Sequence, residues 1–426
     1  MRRTLTSMTG ASLAQAGNLA LAAVVASRLL GPHDRGLMVL GATSGSIAAL
    51  VAGLGTSHAL RARLPALDDE SGRTRLLATY TWVSALAAGL ASALAMLACW
   101  VCASTIDRGL ATPRFLLAAL VATLGQTALV QFPDTWYAAG RFTAGSSWAA
   151  AVAAGGTVGL VLPALVLTPT AWGLLLGQGA GMTAVAVAQA FHLRAARLLL
   201  LGVPDRREAA WLLRSGIQSL GLTMGLALAL RADRFILGGV AGAAMVGVYS
   251  TAATLSEAPR VIPAAIGQTT YRKVTLGFGA AEVERAQRYA VLASAGTGLA
   301  VAVTGWLLIT PVFGASFAEA RPLLLVLLLA ELLFAPFAVA SRALLGGGWM
   351  GSAGLVGAAG AVAALLLFGS AAWQWGAYGA AWASVLLYGG LSTASTIVLR
   401  RRLRSRAAAR PAGVPRPQQG LERART

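Results

Sequence analysis

The chain has 426 residues, 57% of them hydrophobic and 12% charged, with 50 glycines and a mean hydropathy of +0.70. A soluble protein carries about 25% charged residues, so this composition excludes an ordinary soluble domain and points to a chain dissolved in lipid. The formal net charge is +19, and all but one of the 34 basic residues are arginine. The single lysine, Lys273, follows Arg272, which excludes the Gly-Lys-Ser/Thr phosphate loop of nucleotide hydrolases.

A helix crosses the hydrocarbon core in about 20 apolar residues. Runs of that kind recur along the chain at 5–30, 37–60, 76–104, 115–139, 143–168 and 171–193, then at 215–240, 243–268, 288–313, 321–341, 348–372 and 377–399. Backbone in lipid must satisfy its own hydrogen bonds, and the alternation a barrel needs is weak, so the expected fold is all-α and polytopic, with about twelve spans. Met1, Arg2 and Arg3 before the first run resemble a signal peptide. Eleven equally apolar runs follow, so the first run is expected to be a span with the N-terminus inside.

Arginine placement supports this count. Of the 34 basic residues, most lie in or at the edge of the segments that twelve spans put inside, while Arg35, Arg108, Arg114 and Arg321 fall outside. This is the positive-inside bias, and an odd count would send the arginine-rich tail outside. The pI near 11.5 therefore reflects membrane topology, and no nucleic-acid partner is expected. The longest internal loop, 194–214, is the expected joint between two six-span lobes, 1–200 and 201–400. The remaining 401–426 reads as a basic, disordered cytoplasmic tail that touches anionic lipid.

The two lobes look alike at an offset of 207: Leu30-Gly31 matches Leu237-Gly238, Met38-Val39 matches Met245-Val246, and Gly140 matches Gly347. Six spans return the chain to the same side, so the lobes share an orientation and their pseudo-two-fold axis is expected along the membrane normal. Such a pair leaves a central cleft.

Charged groups inside spans are costly and are functional candidates by default. They are Arg28 in span one, Asp134 in span four, Arg231, Asp233 and Arg234 in span seven, Glu257 and Arg260 in span eight, and Glu331 in span ten. Glu331 lies about 15 Å beyond Arg321, near the midplane. Glu257 and Arg260 are three residues apart and share a helix face. Pro133, Pro259, Pro263 and Pro336 interrupt spans and are expected to kink them. The amides Gln15, Asn18, Gln126, Gln178 and Gln218 suit either a wet cleft or interhelical hydrogen bonds. Gly173, Gly177 and Gly181 form a close-packing face, and Trp373 and Trp375 fit an interfacial belt. Cys99 and Cys102 stand inside an apolar run and read as helix residues, and the three histidines are far apart. No metal, cofactor or catalytic residue is expected. Asp68-Asp69-Glu70 reads as solvated charge beside Arg61, Arg63, Arg73 and Arg75.

Ala26-Ser27-Arg28-Leu29-Leu30-Gly31-Pro32, with Asp34-Arg35-Gly36 after it, resembles the first hairpin of the polysaccharide-transport family of flippases. That family belongs to the superfamily that also holds multidrug extruders and the lipid II flippase. Asp233-Arg234-Phe235-Ile236-Leu237-Gly238, followed by Gly247-Val248-Tyr249, is similar to the family's seventh and eighth spans. The resemblance implies a two-lobed transporter, not an enzyme, that moves a polyprenyl-diphosphate-linked oligosaccharide to the outer leaflet of the bacterial cytoplasmic membrane by alternating access. It implies membrane lipids, and a polymerase and glycosyltransferases, as partners. By position, Arg28, Arg234 and Arg260, with Arg231 and Glu257 beside them, would meet the diphosphate or acidic sugars; the arginine fork suits phosphate. Asp233 and Glu331 are the candidates for ion coupling. The alternative within the superfamily is an ion-coupled small-molecule antiporter. Such extruders carry an acid in the first span, where this chain has Gln15 and Asn18, so Asp134 would be its best first-lobe acid.

Overall fold

The computed structural model describes residues 2–166 and 168–408, and every regular element among them is helical. In chain order these are α1 (Arg2–Gly53), α2 (Thr56–Arg63), α3 (Glu70–Ala103), α4 (Pro113–Ala138), α5 (Phe142–Val166), α6 (Ala171–Ala195), α7 (Arg206–Ser256), α8 (Val261–Thr275), α9 (Ala280–Leu308), α10 (Ala320–Gly346) and α11 (Met350–Ala408). Among the described residues nine stretches are long and apolar enough to cross a membrane. Three of them are divided by backbone that no helix contains. Gly31 in α1 has φ 69° and ψ 177°, Gly242 in α7 has φ 79° and ψ 172°, and Gly376 in α11 has φ 56° and ψ −132°. Glycine alone reaches such angles without strain. Division at these breaks turns nine stretches into twelve segments among the described residues.

The breaks correct the register of the internal repeat. Gly31 and Gly242 stand 211 residues apart, while a later left-handed pair, Gly140 and Gly348, stands 208 apart. The fixed offset of 207 falls short of both, because loops of unequal length shift the register along the chain. Under the 211-residue register Arg28 aligns with Gly239, not with Arg234.

Helix starts are set by side chains that satisfy orphan N–H groups. Asp69 accepts from the N–H groups of Ser71 and Gly72, at 3.0 and 2.9 Å, and opens α3. Asp205 accepts from Arg207 at 2.7 Å and opens α7, and Thr170 accepts from Gly173 at 3.2 Å and opens α6. The acid cluster at Asp68-Asp69-Glu70 thus contains a structural cap. The expected loop 194–214 is shorter, because α7 begins at Arg206. Its remainder lies against α3, where Trp82 donates to the Gly202 carbonyl and Thr79 accepts from the Asp205 N–H, both at 2.9 Å. The expected tail begins late: α11 runs through Arg401 to Ala408. Residues 409–426 and the side chain of Gln218 lie outside what is described.

Helices α3 to α6 pack among themselves and on α1, while α8 to α11 pack among themselves and with α7. Small residues set the closest approaches. A Cβ on Gly177 or Gly181 of α6 would fall 2.3 and 2.1 Å from the carbonyl oxygens of Gly159 and Gly155 in α5, so the glycine face read from sequence is a helix crossing. The two halves meet where α1 and α7 cross. A Cβ on Gly36 would lie 1.7 Å from the Ala243 oxygen, and one on Gly247 would lie 1.9 Å from the Pro32 oxygen. Both residue pairs are related by the 211-residue register, so the seam is itself near-symmetric. Ser27 and Thr251 bring their hydroxyls within 3.5 Å across it, and the Arg28 guanidinium donates to the Pro311 carbonyl at 2.9 Å.

Candidate functional site

Beside this seam the second half holds a network of buried charges. Arg231, Asp233 and Arg234 come from the first segment of α7, Tyr249 from the second, and Glu257 caps the C-terminus of that second segment. Arg260 comes from the single 3₁₀ turn Ala258–Arg260 that precedes α8, Glu331 and Phe334 from α10, and Tyr388 from α11. The turn exists because Pro259 and Pro263 each lack an N–H, and it aims Arg260 inward. Beside Pro336, Ser392 bridges the next rung of α10: its hydroxyl donates to the Leu333 carbonyl and accepts from the Phe337 N–H. That repair holds the backbone next to Glu331.

The pairings are specific. Glu257 accepts from Arg234 at 3.3 Å and lies 3.6 Å from Arg231. Arg260 forks onto both carboxylate oxygens of Glu331, and its guanidinium carbon lies 4.6 Å from the Phe334 ring centre and 5.9 Å from that of Tyr388. Asp233 accepts from the Tyr249 hydroxyl at 2.9 Å and from the Arg234 backbone N–H at 2.8 Å. Glu331 and Asp233 are almost completely enclosed, and Arg231 is the most open of the six charged groups, with 34% of its side chain exposed. Three guanidinium groups face three carboxylates, so the network is formally neutral on its own.

The first half supplies the excess charge. Arg35, on the second segment of α1, is 7% exposed. Among the described residues it makes no hydrogen bond or ion pair, and its Nε is enclosed without a partner. It lies close enough to Arg234 for the two charges to interact. Burial of a guanidinium without a partner is expensive, so this position is held against its own cost and carries a net positive charge across the seam.

Six residues singled out from the sequence, Arg231, Asp233, Arg234, Glu257, Arg260 and Glu331, therefore come together. Two details differ from the sequence reading. Glu257 does not pair with Arg260 on its own helix face, because the 3₁₀ turn rotates Arg260 toward α10. Arg28 is exposed and bonded to Pro311, apart from the network, because it precedes Gly31 and the chain turns there. Asp134 pairs with Arg61 at 3.0 Å. Arg35 was missed because its closeness to the first turn reads as an outer segment. Its side chain reaches the seam because the second segment of α1 starts at once after Gly31. Tyr388 and Phe334 carry no sequence signal beyond their ring.

Among the described residues no group of three or more potential metal ligands converges. A family model described as "Polysaccharide biosynthesis protein" matches residues 3–271. The chain belongs to this family. As a polysaccharide biosynthesis protein it shares its fold with solved membrane transporters. The lipid II flippase MurJ, in an inward closed conformation, superimposes with a TM-score of 0.70 over 95% of this chain and 88% of that one, at 10% identity. A multidrug resistance MATE family transporter of the MOP superfamily matches at 15% identity over 96% of each chain. That structure, in an inward-facing conformation, gives a TM-score of 0.66, and an outward-facing structure of a MATE family transporter, also at 15% identity over 96% of each chain, gives 0.58. At these identities what is shared is the fold, an all-helical, multi-pass membrane architecture. No curated protein matches the sequence.

Proposed function

We propose that this member of the polysaccharide biosynthesis protein family carries a polyprenyl-diphosphate-linked oligosaccharide from the inner to the outer leaflet of the bacterial cytoplasmic membrane. In this reading twelve segments cross the bilayer, both termini are cytoplasmic, and the lobes 1–200 and 201–400 rock about the α1–α7 seam. The task is to shield a polar, doubly anionic head group through about 30 Å of hydrocarbon while the lipid tail stays in the bilayer. The observation that supports the reading is the unpaired, enclosed Arg35 close to Arg234 across the seam, with Arg234 in turn held by Glu257.

The chemistry follows from the pairings. Glu257 occupies Arg231 and Arg234 when no phosphate is present. An arriving diphosphate competes with that one carboxylate for two guanidinium forks, and Arg35 tips the balance toward the anion. Arg260 is tied to Glu331, so it contributes positive potential more than direct contact. Release requires Glu257 to recapture its two arginines, which gives the cycle a resting state with no buried charge left alone except Arg35.

The antiporter alternative needs an acid that is free to bind a cation. Asp134 is engaged by Arg61, Glu331 by Arg260 and Asp233 by Tyr249. Coupling through Asp233 or Glu331 requires those bonds to break once per cycle. The test is surface glycan in cells that depend on this chain. Arg231→Ala and Arg234→Ala should each abolish it at unchanged membrane levels of protein, and normal surface glycan from both would defeat the reading.

A further inference from the structure

Away from the seam, the two segments of α11 touch at Gly360–Leu391 and Ala371–Gly379 and line a groove of about 750 Å³. Its walls mix small residues such as Ala359, Ala363, Gly390 and Ala394 with aliphatic ones, among them Leu355 and Leu386. Those two leucines are 74% and 64% exposed, so one side of the groove opens to the surrounding lipid. A Cβ added to Gly390 would meet nothing within 4 Å, so space is available there.

The groove is apolar except at one end. There Arg401, Arg402, Ser352 and Ser405 line it. Arg402 donates to the Ser352 hydroxyl through Nη2 at 2.9 Å and through Nε at 3.2 Å, which ties the two segments at the mouth. Arg400 turns away to Glu284 at 3.1 Å, and Arg401 is exposed. From Arg401 to Leu387 the helix rises about 21 Å. That matches roughly 20–22 Å for one leaflet, head group included.

We infer that this groove is a binding site for one anionic phospholipid, with its phosphate at Arg401 and Arg402 and an acyl chain along the wall of Gly390 and Ala394. Charge complementarity chooses the head group, because two guanidinium groups mark the mouth and no acid lines it. Depth chooses the chain, because the apolar part ends where one leaflet ends. The site is independent of what the seam carries. It gives the last two segments a filler for the groove they share, and it makes packing of the second half depend on anionic lipid.

The test uses the full chain purified in detergent and incubated with equal amounts of phosphatidylglycerol, phosphatidylcholine and undecaprenyl phosphate. Retained lipid is then read by native mass spectrometry. Phosphatidylglycerol should be retained over phosphatidylcholine by about tenfold or more, given two arginines at the head group. Arg401→Gln with Arg402→Gln should remove that preference, and Gly390→Leu, which fills the groove from its floor, should lower retention of the anionic lipid with the arginines intact. Equal retention of phosphatidylcholine, preferential retention of undecaprenyl phosphate, or retention unchanged in Gly390→Leu would each overturn the assignment. If the double arginine variant fails to fold, Gly390→Leu alone decides.

Discussion

The Arg260–Glu331 pair offers a quantitative test of how the buried network is held. Glu331 is 4% exposed and Arg260 keeps 19% of its side chain open. Glu331→Leu strips the guanidinium of its fork and leaves it only the faces of Phe334 and Tyr388. Breaking a buried pair by removing one partner costs about 3–5 kcal/mol. The residual exposure of Arg260 lets water solvate it in part, which places Glu331→Leu near the lower end, at about 3 kcal/mol. Arg260→Leu leaves an enclosed carboxylate and should cost a similar amount. The double variant removes both charges, and replacing a buried pair with apolar residues is about neutral or stabilising. The two single effects should therefore fail to add by about 3 kcal/mol or more. Equilibrium unfolding of the four proteins in mixed micelles measures the cycle. Additive losses, or a Glu331→Leu protein as stable as the parent, would refute the pairing.

Three further outcomes follow from the packing. In a chain with Cys99 and Cys102 replaced by alanine, Ser27→Cys with Thr251→Cys should crosslink across the seam, and adding Gly36→Ala should suppress the crosslink, because its Cβ meets the Ala243 carbonyl. Undiminished crosslinking would show that the crossing is not held so tightly. Asp205→Ala should cost about 1 kcal/mol through loss of the α7 cap, read by the same unfolding titration. Arg28→Ala should leave binding of a polyprenyl diphosphate to the purified protein unchanged, since Arg28 spends its hydrogen bond on Pro311 outside the network; a loss of binding would place Arg28 in the site.

Much of this fold was legible in the residues because lipid is an unforgiving solvent. Apolar runs and arginine placement need no tertiary information, and the close packing at Gly177 and Gly181 follows from their spacing. The charged network was legible for the same reason, since any ionisable residue in a span stands out. What the sequence did not carry was partnership. Glu257 goes to Arg231 and Arg234, not to Arg260 three residues on, because a 3₁₀ turn at Pro259 changes the helix phase, and phase after a kink is set by packing. The repeat register shifted for a related reason: loops of unequal length move it from 211 to 208, and identities in an Ala- and Gly-rich chain do not register such a drift. Arg35 was hidden by its place at a turn, where only a folded seam shows that the side chain is enclosed.

Transfer between leaflets is the measurement closest to the claim. Proteoliposomes holding the purified chain and a fluorescent polyprenyl-diphosphate oligosaccharide on one leaflet report movement through quenching by a membrane-impermeant reductant. The parent chain should move the lipid well above protein-free vesicles. Arg35→Gln with Arg231→Gln should slow it at least about tenfold, the loss expected for charge-assisted hydrogen bonds worth about 1.5–3 kcal/mol. No movement by the parent under any imposed gradient, or the same rate in the double variant, would contradict a seam built to carry phosphate.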